Sequence, residues 1–257
     1  MNLTIIKKVR KKNPLIHHIT NQVVMNFTAN GLLSFGASPI MAKAEEETGD
    51  MASIADGLLI NIGTLKARDI PAIITAGKAA NKKGIPVVLD PVGVAATDFR
   101  SSVIKEILTE VNPTVIKGNA GELAHLAEIP WQTKGVESLG EGNVEEIGMR
   151  VTETYQTAAV ITGERDTIIT NGKLIENDTG HPILTKVTGA GCLLGSILTA
   201  CLTTGDPIEE QALAAVKFYG LAAEYAASQE EVAGPGTFLP YFIDALSMEM
   251  NEHERRY

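Results

Sequence analysis

The sequence predicts an α/β fold: a central, mainly parallel sheet with helices on both faces, an antiparallel hairpin at its edge and an α-rich C-terminal part. Three observations carry this expectation. Four short apolar runs (58–63, 86–91, 114–119 and 158–163) are rich in Val, Ile or Leu and close on Gly, Asn or Asp-Pro, as strands buried on both faces do. Segments of helical period separate them, the alternation that builds a parallel sheet through right-handed crossovers. Asn171-Gly172 stands between two β-branched stretches over 166–177, a type I′ hairpin signal.

The elements follow in order. Asp69 is placed to cap a helix over 70–83, with Pro71 in its first turn, Ile70, Ile73, Ile74 and Gly77 on one face, and Gly84 as its stop. Ser101 or Ser102 is the expected cap of the next helix, where Val103, Ile104, Ile107, Leu108 and Val111 keep the 3.6-residue period. Residues 128–143 read as a loop holding the lone tryptophan, Trp131. Asp206-Pro207-Ile208-Glu209 resembles a capping box opening a helix through Ala227. From residue 188 onward the chain reads as nearly all helix. With no repeat, low-complexity tract or linker, one domain over 1–257 is the economical expectation.

Bulk properties narrow the function. A net charge of -9 argues against a nucleic-acid binder, which needs a basic face. The two cysteines, Cys192 and Cys201, make neither a metal cluster nor a disulfide framework, which fits a reducing cytoplasmic setting. The basic start lacks an apolar run of signal length, and no stretch reaches the ~20 apolar residues of a membrane span. The expectation is a soluble cytoplasmic protein with no membrane or nucleic-acid partner.

In an open parallel sheet, ligands sit beyond the carboxyl ends of the strands. Those ends are Asn61 and Gly63, Asp90, Lys117 and Asn119, and Thr162 and Gly163, with Glu122 one turn into the following helix. Carboxylates for a cation, a lysine for an anion and glycines for close approach suit a phosphorylated ligand with Mg²⁺. Singly, each has a plainer explanation: Asp90-Pro91 as a turn, Glu122 as a first-turn carboxylate, Lys117 as a solvated side chain. Gathered at one sheet edge they favour function.

The stretch "LTKVTGAGCLLGSILTACL" (184–202) adds Gly189-Ala190-Gly191 before a buried helix, a row of N–H groups able to face an anion. It matches neither a P-loop nor a dinucleotide fingerprint. Cys192 at the helix start is expected to have a lowered pKa, as a modest base or a pocket wall. His17 and His18 read as structural and Cys201 as core. His125, one turn after Glu122, reads as a partly exposed helix residue rather than a ligand, and Glu45–Glu47 as a solvated face.

"VTGAGC" (187–192), with "DPVG" (90–93) and "GNAGE" (118–122) upstream, resembles the ribokinase-like small-molecule kinases, many of which carry GAGD with the aspartate as catalytic base. Within them the chain is most similar to the hydroxyethylthiazole kinase family, through "HHITNQVVMNFTANGLLSFGASPIMA" (17–42), "NIGTL" (61–65), "KGVES" (134–138), "ITGERD" (161–166) and "GPGTF" (234–238). The resemblance implies ATP-dependent phosphorylation of 4-methyl-5-(2-hydroxyethyl)thiazole in thiamine salvage, with Mg²⁺, by a homotrimer whose active sites lie between subunits. It implies that Gly189, Ala190, Gly191 and Cys192 form the catalytic turn, and that Lys117, Thr162 and Asn119 bind ATP. Met41, Gly189 and Asn21 would meet the substrate, and Asp90 and Glu122 would position Mg²⁺ directly or through water. Lys117 stands where many relatives have arginine, trading a bidentate fork for a point charge. Three rivals stay open: a kinase of another small alcohol such as a pyrimidine, a vitamin B6 compound or a sugar, a cysteine hydrolase using Cys192, and a non-catalytic nucleotide sensor.

Overall fold

The computed structural model describes residues 3–131 and 141–249. Six parallel strands come first: β1 (Leu15–Ile19), β2 (Ser38–Ile40), β3 (Gly57–Asn61), β4 (Val87–Asp90), β5 (Val115–Asn119) and β6 (Ala158–Thr162). An antiparallel pair, β7 (Asp166–Thr170) and β8 (Lys173–Asn177), completes the sheet, ordered β2-β1-β3-β4-β5-β6-β7-β8. The four apolar runs are β3 to β6. The hairpin turns on Asn171 (φ 49°) and Gly172 (φ 74°), the two left-handed residues a type I′ turn requires.

β1 and β2 had no counterpart in the sequence reading. β1 breaks its apolar run with two histidines, and β2 is three residues long with a central proline, so neither carries a strand signature. Proline is tolerated in β2 because that strand is an edge of the sheet.

Helices cover both faces. Against one lie α1 (Leu3–Lys12), α2 (Met25–Phe35), α8 (Ala190–Cys201), α9 (Ile208–Ala227) and α10 (Pro235–Ser247), packed on Leu59, Val88, Val115 and Val160. Against the other lie α3 (Glu45–Ile54), α4 (Ile70–Lys83), α5 (Asp98–Glu110), α6 (Ala120–Leu126) and α7 (Glu141–Tyr155), packed on Leu58, Leu89, Ile116 and Ile161. Successive strand residues thus enter opposite cores. Arg10 of α1 clamps the first layer, donating to the carbonyls of Phe35 (3.2 Å), Leu246 and Met248 (both 2.9 Å) at two helix ends.

Three caps differ from expectation. Asp69 makes no side-chain cap bond and pairs with Lys43 at 3.6 Å, although α4 does stop at left-handed Gly84. Its buried face is Ala72, Ile73, Ala76, Gly77 and Ala80, so Ile70 and Ile74 flank it rather than centre it. α5 starts earlier than Ser101: Thr97 is its cap, accepting the Arg100 N–H at 3.3 Å. Pro207 precedes α9 without a side-chain cap, because Asp206 accepts from Lys8 Nζ at 2.5 Å. In two of these cases a lysine distant in sequence pairs with the carboxylate in place of the local cap, by an ion pair at Asp69 and by a charge-assisted hydrogen bond at Asp206. The expected loop over 128–143 includes residues 132–140, which lie outside the described residues, as does "KGVES"; its last positions begin α7.

His18 is 1% exposed and bridges β1 to α8. Its Nδ1 donates to the Ile16 carbonyl (2.9 Å), so Nε2 accepts the Ser196 hydroxyl (2.8 Å). Burial, offset by the bond to the Ile16 carbonyl, brings its pKa down to about 4. An unfolded His18 titrates near 6.5, so the denatured state gains a proton the native state refuses as pH falls from 6.5 towards 4. That linkage removes up to about 3 kcal/mol of stability across this window. Urea midpoints followed from pH 7 to 4.5 are expected to fall more steeply for the parent than for His18→Gln; equal slopes overturn this.

Candidate active site

The parallel register brings strand ends to one edge. Asn61 of β3 sits opposite Asp90 of β4, and Asn119 of β5 opposite Thr162 of β6. Lys117, two residues before the end of β5, faces α8 and is 4% exposed.

Asp90 is the centre of a buried cluster. Its Oδ2 accepts from Lys117 Nζ (3.2 Å) and Asn61 Nδ2 (2.9 Å), while its Oδ1 is buried without a hydrogen-bond partner. Lys117 Nζ also donates to the Gly191 carbonyl at 3.0 Å. Asn61 Nδ2 reaches Cys192 Sγ at 3.3 Å, and Asn21 Nδ2 reaches both that sulfur (3.3 Å) and Asn61 Oδ1 (3.0 Å). The Gly63 N–H fixes Asn61 Oδ1 from the other side at 3.0 Å. Asn21, Asp90, Lys117, Gly191 and Cys192 therefore meet as one hydrogen-bonded group.

The helix entry is shaped by Gly189, whose φ of 89° is left-handed; a Cβ there would lie 2.5 Å from Val24 Cγ1. The Ala190 N–H is taken by the Val187 carbonyl (3.3 Å), and the Tyr219 hydroxyl donates to the Ala190 carbonyl (2.6 Å). First-turn N–H groups have no carbonyl four residues back in the helix, so Gly191 and Cys192 present the donors of this turn. The partial positive charge at a helix N-terminus adds to them.

Other expected residues stand apart. Asn119 and Glu122 form a reciprocal capping box on α6. Glu122 Oε2 accepts the Asn119 N–H (2.9 Å), and its Oε1 accepts the Gly93 N–H (2.8 Å), so both oxygens hold backbone. Thr162 Oγ1 donates to the Gly118 carbonyl at 3.3 Å and lines a cavity of about 900 Å³ with Gly163, Leu184, Gly191, Val216 and Tyr219. Met41 follows β2, beside the end of β1, outside the Cys192 cluster. His125 pairs with Ser101 Oγ at 2.8 Å. The sequence reading gave Asn61 a place at a strand end but no role, and passed over Tyr219 and Arg100. Asn61 did carry a signal, since it ends its run just as Asp90 does.

The electrostatics reverse one expectation. Burial pushes the Cys192 thiol up, and the neighbouring Asp90 carboxylate pushes it further, against Lys117 and the two asparagine amides. The raised thiol is protonated at neutral pH. Burial works against the Lys117 ammonium, yet Asp90, Cys192 and Glu122 more than compensate, holding it above the ordinary lysine range. Burial raises the Asp90 carboxyl, with Lys117 and Asn61 opposing. A protonated thiol is a poor base, so Cys192→Ala is expected to keep kcat within about tenfold of the parent, whereas an essential general base would cost ~10²–10⁴-fold. A loss beyond a hundredfold in a coupled ADP assay restores the base.

Among the described residues no group of three His, Cys, Asp or Glu side chains is placed to hold a metal. The donor set still fits Mg²⁺, which keeps several waters and needs only one or two carboxylates beside substrate phosphates. Asp90 Oδ1, an anionic acceptor without a partner, suits such a water or ion.

An open α/β sheet with an antiparallel edge hairpin is a ribokinase-like fold, and here a glycine turn opens a helix over its buried Asp–Lys pair. A ribokinase-like superfamily protein from Enterococcus faecalis V583 shares this fold with a TM-score of 0.69 at 16% identity, over 96% of this chain and 94% of that one. The chain belongs to the hydroxyethylthiazole kinase family, which residues 6–252 match. It is 59% identical to hydroxyethylthiazole kinase 1 of Oceanobacillus iheyensis over 257 residues, 99% of this chain and 100% of that relative. The hydroxyethylthiazole kinase protein of Pyrococcus horikoshii OT3 superposes with a TM-score of 0.87 at 38% identity, over 98% of this chain and 94% of that one.

Proposed function

We propose that this protein transfers the terminal phosphoryl group of ATP to the primary alcohol of 4-methyl-5-(2-hydroxyethyl)thiazole, a thiamine salvage step carried out in the cytoplasm. The observation that carries the reading is the α8 entry, which meets the buried Asp90–Lys117 pair where Lys117 Nζ donates to the Gly191 carbonyl at 3.0 Å. Phosphoryl transfer asks the protein mainly for positioning and for charge stabilisation of the moving group. The Gly191 and Cys192 N–H groups and the Lys117 ammonium supply that positive field. Thr162 and Tyr219 line the nucleotide cavity.

Asn21, bonded to the Cys192 sulfur, orients the alcohol end of the substrate. Asp90 would hold Mg²⁺, directly or through water, and the ion would neutralise phosphate charge. Glu122 contributes by fixing the Gly93 and Asn119 backbone around that position. With Cys192 protonated, the alcohol keeps its proton until late in a loose transition state. Met41 and Asn21 border the thiazole, and a homotrimer completes the pocket between subunits. Val23 and Leu33, 69% and 56% exposed on and before α2, are apolar surface that such an assembly covers.

The test is a coupled ADP assay across thiazole, pyrimidine and vitamin B6 alcohols, with products weighed by mass spectrometry. The thiazole alcohol is expected to give kcat/KM at least a hundredfold above the others, and preference for another alcohol overturns the assignment. Sedimentation equilibrium reports the trimer.

A further inference from the structure

We propose that Arg100, on the first turn of α5, is a positioning residue that locks two active-site loops against each other. Its Nη1 donates to the carbonyls of Ile62 (2.6 Å) and Val92 (2.8 Å), and its Nη2 to that of Gly63 (2.8 Å). Ile62 and Gly63 leave β3, and Val92 leaves β4, so one guanidinium spans the two strand ends that carry Asn61 and Asp90. Thr97, by accepting the Arg100 N–H, fixes the backbone from which the side chain reaches.

Each grip leads to the site through one more bond. On the β3 limb, the Gly63 N–H holds Asn61 Oδ1, which turns the Asn61 amide so that Nδ2 meets both Asp90 and Cys192. On the β4 limb, the residue after Val92 is Gly93, whose N–H holds Glu122 Oε1 while Oε2 holds the Asn119 N–H. Arg100 touches none of the reacting groups and acts only through these backbone contacts. A planar fork of five donors can serve three carbonyls at once; a lysine ammonium has a single nitrogen and cannot span the same three oxygens. The cavity lined by Thr162, Gly191 and Tyr219 borrows no residue from either limb, and Asn119 joins the β4 limb only through its backbone N–H. Loss of the clamp therefore shifts chemistry rather than nucleotide binding.

The inference rests on the active-site reading above, and the experiment separates the two. For Arg100→Met, kcat is expected to fall about 10–100-fold, the scale of a roughly 1 Å misplacement, with the KM for ATP within about threefold. Arg100→Lys, which keeps the charge and is the variant to rely on should Arg100→Met not fold, is expected to fall between the two with the same unchanged KM. Combined with Asn61→Ala, the part of the Arg100→Met loss carried by the β3 limb is expected to be absorbed, so the double variant loses less than the product of the two. Full kcat in either Arg100 variant, a rise in KM matching the fall in kcat, or losses that multiply with Asn61→Ala overturn the clamp. Retention of kcat in Asp90→Asn instead overturns the site reading itself, whatever the Arg100 variants do.

Discussion

Asparagine in place of Asp90 is expected to lower kcat by about 10²–10³-fold, the scale of removing one preorganised electrostatic contact at a reacting centre. The substitution changes charge and almost nothing in shape. It removes the anionic Oδ1 that suits Mg²⁺ or its water, and it strips Lys117 of its counter-ion. Lys117 and Asp90 are 5% and 1% exposed at their side chains, and breaking such a buried pair from one side costs about 3–5 kcal/mol. The lysine also loses the carboxylate that keeps it charged. Stability and activity separate in the double variant: Asp90→Asn with Lys117→Met is expected to regain most of the lost denaturation midpoint and none of the lost kcat. An Asp90→Asn protein with kcat within tenfold of the parent contradicts this account.

Gly189→Ala is the second large effect. The residue's φ of 89° is left-handed, which costs a side chain about 1–2 kcal/mol. Its new Cβ would meet Val24 Cγ1 at 2.5 Å and Val24 Cβ at 2.9 Å. Relief can come only by moving α2 away or by turning the peptide that begins α8, and turning it re-aims the Gly191 and Cys192 amides. The expected result is a loss of kcat greater than about a hundredfold and a Tm lowered by about 5–10 °C. Adding Val24→Ala removes the 2.5 Å contact with Cγ1 while leaving the 2.9 Å contact with Cβ and the φ penalty, so it recovers part of the Tm. Unchanged kcat in Gly189→Ala means that the amides of this turn do not face the reacting phosphorus.

Continuous apolar runs announced β3 to β6 because strands covered on both faces leave no polar alternation to misread. The hairpin was equally legible, since Asn-Gly demands its own turn. β1 was hidden by His17 and His18; both nitrogens of the His18 ring are paired, with Ile16 and Ser196, whereas His17 is paired only at Nε2, with Ala42. The caps failed for a related reason: Lys43 and Lys8 claim the carboxylates that local spacing assigns to helix ends.

At the site, reading strand ends found Asp90 and Lys117. The convergence of Asn21 and Asn61 on Cys192 spans 171 and 131 residues of chain and requires knowing that β1 and β3 are neighbours. The thiol's protonation went the opposite way because a helix-end rule is local, while the burial that chiefly raises it, and the Asp90 carboxylate that adds to it, come from the assembled fold.

The two layers also differ in when they are made. The helices over the Leu58 and Ile116 side lie between successive strands, so each strand leaves the ribosome with its cover close behind. The side built on Leu59, Val88 and Val115 waits for α8, α9 and α10, which follow every strand of the sheet. A nascent chain halted before Ala190 holds a finished sheet with one oily side covered by α1 and α2 alone, the sort of surface chaperones capture, and its phosphate-handling machinery assembles only once α8 follows.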